Sequence, residues 1–155
     1  MKNFYKKGFT IVEMLIVIVI IGILVAIVLP SFSAMRQNQA LKNTVSDVVS
    51  SLDKARSQTL ASLNSSEYGV HFQSNKIVIF KGTSYSANDA NNTSINVTSP
   101  ATLSSISLTG GASDIYFARL SGTPNVTGTI VVSVSSNQSL TKTITISATG
   151  IASLN

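Results

Sequence analysis

One histidine, no cysteine and six carboxylates bound the chemistry open to this chain of 155 residues. His71 is the sole imidazole, so a Ser-His-Asp relay would have to centre on it, yet no nucleophile motif or paired acids surround it. Within residues 68–72 its parity is opposite that of Val70 and Phe72, which turns it outward as an exposed surface residue. Without cysteine the chain has no thiol nucleophile, no disulfide and no Cys-based metal site. Asp47, Asp53, Glu67, Asp89 and Asp114 are scattered without EF-hand spacing. The oxygen-rich stretch Asn88-Asp89-Ala90-Asn91-Asn92 reads as a solvated polar loop ahead of a calcium site. No catalytic residue, cofactor or metal is expected, and the chain reads as a non-enzyme.

The sixth carboxylate is different, because Glu13 lies inside a run of apolar residues from 9 to 29 broken only by Thr10, Glu13 and Gly22. That run matches the roughly 20 residues a helix needs to cross a bilayer. A carboxylate in such a helix costs at least about 2.5 kcal/mol on insertion scales, so it requires a counter-charge, a proton or a path to the headgroups. Lys2, Lys6 and Lys7 precede the run and no basic residue follows before Arg36, which predicts a cytoplasmic N-terminus and an outward C-terminal portion. The formal charge of +5 is mostly a property of this leader: without its three lysines, eight basic residues face six acidic ones. An ordinary secretory signal, with Ser31, Phe32, Ser33 and Ala34 offering small residues for cleavage, is the rival reading. The apolar run is long for that role and contains an acid.

The segment Lys6-Lys7-Gly8-Phe9-Thr10-Ile11-Val12-Glu13, followed by the apolar run and by Pro30, resembles the signal of type IV prepilins and type II secretion pseudopilins. The resemblance implies cleavage by a prepilin peptidase between Gly8 and Phe9, N-methylation of the new Phe9 amine, and retention of the apolar helix with a kink at Pro30. It also implies a partner for Glu13 in the Phe9 amine of a neighbouring subunit. Each charge alone is costly in an apolar surrounding, whereas the pair offset one another and would set the axial register between subunits. Other pilin subunits and an inner-membrane assembly platform are the implied partners. A single-pass membrane protein that later enters an extracellular or periplasmic filament is the implied location.

Beyond Pro30, the positions Leu41, Val45, Val48, Leu52, Ala55, Thr59 and Leu63 advance by alternating fours and threes and so share one side of a helix. This stripe is expected to pack on the chain's own sheet and not on a coiled-coil partner. Helix from residue 9 to about 63 would extend roughly 80 Å at 1.5 Å per residue. Residues 68–72 and 76–81 read as a hairpin, with 77–80 apolar on both faces and expected to be covered by the helix. Residues 82–94 read as a polar surface loop, followed by candidate strands at 95–98, 103–108, 114–120, 129–135 and 142–148. The last two alternate cleanly, with Ile130, Val132, Val134 and Ile144, Ile146, Ala148 on single faces, as in antiparallel sheet with one buried side.

The fold class is therefore α+β: a long kinked N-terminal helix packed on a small antiparallel head. Its expected divisions are a cleaved basic leader at 1–8, a membrane and assembly helix at 9–29, an amphipathic continuation at 30–63 and a β-rich extracytoplasmic head at 64–155. Leu52-Asp53-Lys54-Ala55-Arg56-Ser57-Gln58, Asp114-Ile115-Tyr116-Phe117 before a glycine loop, and residues 143–151 with Gly150 resemble GspH/FimT-type minor pilins. Some minor pilins of that type resemble DNA receptors through C-terminal arginines. Here no basic residue follows Lys142, and Arg119, Lys142, Lys76 and Lys81 form a thin candidate set for tracking phosphates. A structural filament subunit is the leading reading, with a DNA-binding minor pilin as the alternative.

Overall fold

A computed structural model describes residues 8–154; residues 1–7, which hold the leader's lysines, and residue 155 lie outside the described residues. Helix α1 (Ile11–Leu60) is followed by a 3-10 turn (Leu63–Ser65) and eight strands. The chain divides into two compact units, one through Arg36 and one from Gln37, and α1 contributes to both.

In the first unit the large apolar side chains from Phe9 to Met35 are exposed on every side of the helix; the most covered of them, Val17, is still 42% exposed. The mean hydropathy of its most apolar 18-residue window is 3.3, and none of the described residues buries it. A helix that is apolar all round has no face for water, so its stable surroundings must be a bilayer or other apolar helices. The helix runs without interruption past position 30.

In the second unit Leu41, Val45, Val48, Leu52, Ala55 and Thr59 are all buried, as the four-three spacing requires. The expected seventh member, Leu63, is 43% exposed, because α1 ends at Leu60 and Ser62 and Asn64 take left-handed conformations (φ 49° and 52°) that turn the chain off the helical path. Two buried hydroxyls on this part of the helix are satisfied locally, Ser51 donating to the Asp47 carbonyl (2.6 Å) and Thr59 to the Ala55 carbonyl (3.0 Å), whereas the Thr44 hydroxyl has no partner among the described residues. Thr59 Oγ1 also accepts the Tyr68 N–H at 2.9 Å, tying helix to sheet.

Two four-stranded antiparallel sheets complete the unit. The first has the order β3 (Thr93–Asn96), β2 (Lys76–Lys81), β1 (Tyr68–Gln73), β5 (Asp114–Phe117). The second has the order β4 (Ala101–Leu108), β6 (Gly128–Val134), β7 (Asn137–Ile146), β8 (Ala152–Leu154). The helical stripe, Val70, Phe72, Ile77, Ile79, Ile115 and Phe117 from the first sheet, and Leu103, Ile130, Val132, Val134, Ile144 and Ile146 from the second share one core. Each such side chain contributes on the order of 1.5–3 kcal/mol through burial.

Several expected boundaries move. The third strand begins at Thr93 and ends at Asn96, not 95–98, where Thr93 pairs with Ile79. The strand expected over 114–120 stops at Phe117, since Leu120 has φ 67° and is 82% exposed. That expected over 142–148 starts at Asn137, directly after a two-residue turn from β6, and ends at Ile146, which leaves Ala148 outside it. Strand β8 was not expected from the sequence. On the far face of β2, the Tyr85 ring of the 82–92 loop meets Phe80 edge-on at 5.9 Å. Phe80 lies over β1 only because its partner Gly69 has no side chain: a Cβ there would come within 2.5 Å of the Phe80 ring.

Candidate functional site

The N-terminal site is built from the start of α1. Gly8, Phe9 and Thr10 precede the helix, a Cβ at Gly8 would meet nothing within 4 Å, and Phe9 is 80% exposed. Thr10 Oγ1 accepts the Glu13 N–H at 3.2 Å, and the Thr10 carbonyl accepts the Met14 N–H at 3.2 Å. Thr10 is thus the N-cap and Glu13 the third helical residue, the Thr-x-x-Glu spacing of a capping box. Two consequences follow for the expected chemistry. The Gly8–Phe9 bond lies outside the helix with open space around it. Glu13 sits in the first turn, where the unpaired N–H groups and helix dipole favour a negative charge. In the sequence Thr10 interrupts the apolar run, and its spacing to Glu13 is the signal of its capping role.

Three stretches singled out in the sequence meet in the second unit. Arg56 on α1 donates from Nε to the Gly122 carbonyl at 3.1 Å, in the loop after β5. Gly150, after β7, has φ 78°, and a Cβ there would lie 2.6 Å from the Gly122 oxygen and 3.0 Å from Arg56 Nε. The glycine leaves room for the guanidinium, so the contact couples helix, loop and C-terminal strands.

His71 is not the exposed residue its parity suggested. It faces away from the core, but Tyr85 from the 82–92 loop stacks on it with ring centres 3.9 Å apart, and its side chain is 12% exposed. Its Nδ1 bonds the Asp114 carboxylate across the β1–β5 ladder, and Gln73 Nε2 lies 3.1 Å from its Nε2. The His-Asp pair fastens strand to strand and supports the loop.

Asp89 Oδ1 accepts both the backbone N–H and the side-chain amide of Asn91 at 2.8 Å, a local turn that holds the Asp89 carboxyl below the usual carboxylate range. Among the described residues no trio of His, Cys, Asp or Glu is placed to hold a metal ion. Of the basic candidates, Lys76 and Lys81 end opposite tips of β2, about 17 Å apart at roughly 3.4 Å per residue. Lys142 lines a groove with Lys42 and Asp53 instead.

Residues 3–29 match the family described as the prokaryotic N-terminal methylation motif. The fold is similar to that of the type IV minor pilin FimU of Pseudomonas aeruginosa, at 14% sequence identity and a TM-score of 0.55, over 74% of this chain and 92% of that one. No curated protein matches the sequence. In N-terminal motif and in fold, the chain is type IV pilin-like.

Proposed function

We propose that this type IV pilin-like chain is a structural subunit, in the manner of a minor pilin, of a type IV pilus or a type II secretion-like filament. The observation that carries the reading is an all-round apolar helix that opens with Gly8, Phe9, Thr10 and Glu13 and is buried by none of the described residues. A prepilin peptidase cuts between Gly8 and Phe9, and the new Phe9 amine is methylated. Until assembly the helix spans the inner membrane with its N-terminus cytoplasmic, as the leader lysines favour. Assembly then exchanges lipid for neighbouring helices, delivered by an inner-membrane platform, with Pro30 supplying a bend.

Glu13 sets the stagger. In the apolar interior of a filament its carboxylate and the Phe9 amine of a neighbour are each costly alone and compensate as a pair. The Thr10 cap holds the first turn, so the carboxylate is presented from a fixed helical position. A Glu13→Gln variant tests this division of labour. It keeps the helix and the cleavage site, so the processed chain should accumulate in the membrane while its share in sheared filaments drops at least about tenfold, one 1.4 kcal/mol step. Normal incorporation of that variant would remove Glu13 from the assembly mechanism.

A further inference from the structure

The outer face of the second sheet carries a concave groove of about 440 Å³ lined by Thr102, Ser104, Ser133, Ser135, Gln138 and Thr141. Its volume falls in the roughly 300–1,000 Å³ range of small-molecule clefts. Thr102, Ser133 and Thr141 form one row across β4, β6 and β7, in register, and β-bulges beside Leu103 and Ser133 interrupt the ladder there. The row spans about 10 Å, two strand spacings of roughly 4.8 Å.

All six side chains are polar and none is charged. Thr102 donates its hydroxyl proton to the Ser74 carbonyl at 2.8 Å, and Ser104 donates to the Val131 carbonyl at 3.2 Å. Their oxygens are left as acceptors. Ser133 is 5% exposed at the groove's floor, and its hydroxyl makes no hydrogen bond among the described residues. The Ser133 oxygen is not sealed from solvent, so on an otherwise buried residue the hydroxyl is open to a hydrogen-bonding group in the groove. Ser135, Thr141 and Gln138 add groups that both donate and accept.

We propose that this groove binds a neutral saccharide. An anion would find no cation among these side chains and a metal ion no carboxylate. A sugar ring carries uncharged hydroxyls that each donate and accept, which matches fixed acceptors at Thr102 and Ser104 beside donors at Ser133, Ser135 and Thr141. The lining has no aromatic platform, so every contact exchanges with water and the affinity is weak, with Kd on the order of 1 mM. The site does not depend on the filament reading.

The test is amide NMR titration of the full chain in phosphocholine micelles, which avoids sugar-headed detergents, with maltotriose, cellotriose and N-acetylchitotriose as probes. At least one trisaccharide should give saturable shifts centred on Thr102, Ser133 and Thr141 that do not weaken with salt. Ser133→Val, which fills the floor without a hydroxyl, should lower that affinity by about tenfold, and Gln138→Ala, on the exposed rim, should lower it less. No saturable shift with any of the three would overturn the proposal, as would shifts unchanged in Ser133→Val. Shifts produced only by an extended Ser/Thr peptide along the edge strand β4 would overturn it in favour of a protein partner.

Discussion

Thr10, Glu13 and Asp89 show how single side chains fix local structure in this chain. The Thr10 hydroxyl satisfies a helix N–H that the surrounding apolar residues cannot, which matters most where no water reaches the backbone. At Asp89 the two hydrogen bonds from Asn91 favour the carboxylate, so the folded pKa lies below the ordinary value of 3.8. A depressed carboxyl contributes stability that is present above the unfolded pKa and lost as pH falls through the folded one. Replacing Asp89 by Asn should therefore lower stability above pH 3.8, where the contribution is present, and flatten the fall of stability below pH 3.8, as thermal melts across both ranges would read. Asp47 shifts the other way, raised by burial, and its slope has the opposite sign. Glu13 and its place before an apolar run were legible in the sequence. The cover over His71 was not, because strand parity says which way a residue faces and nothing about a loop returning over it.

At the scale of elements, periodicity carried most of the information. The four-three stripe on α1 gave Leu41, Val45, Val48, Leu52, Ala55 and Thr59 as buried but not Ala40, Thr44 and Ser51 beside them, and the alternation in β6 and β7 gave Ile130, Val132, Val134, Ile144 and Ile146 as core. Failures occur where a chain reversal depends on backbone conformation. Leu63 continues the spacing, but the left-handed residues at Ser62 and Asn64 have already ended the helix. Strand β8 is three residues long and polar in part, and only its pairing with Ile144, Thr145 and Ile146 defines it. The Arg56–Gly122–Gly150 junction is likewise a product of folding, since its members are separated by tens of residues. Gly150→Ala should be destabilising by about 1 kcal/mol or more, from a strained positive φ and the crowding of the Gly122 oxygen. A Gly82→Ala control, also at positive φ but with nothing within 4 Å of its Cβ, separates the strain from the crowding in the same denaturation experiment.

For the whole molecule, the two units have opposite relations to solvent. Residues from Gln37 onward close a core of their own between a helical stripe and two sheets, whereas the helix before Arg36 exposes large apolar side chains in every direction. That contrast was legible from composition alone, because the apolar residues are concentrated in one run and the remainder is rich in Ser, Thr and Asn. The order of the two sheets was not, as strands of similar length and pattern can pair in many ways until the full core is assembled. A chain with one self-sufficient unit and one that needs partners is suited to assembly, and the processing at Gly8–Phe9 is the step on which the filament reading turns. The most direct measurement is the intact mass and N-terminal sequence of the chain recovered from membrane and sheared-filament fractions. A start at methylated Phe9, lost in Gly8→Ala, is the predicted result; a start at Ala34 in a soluble fraction would contradict the account.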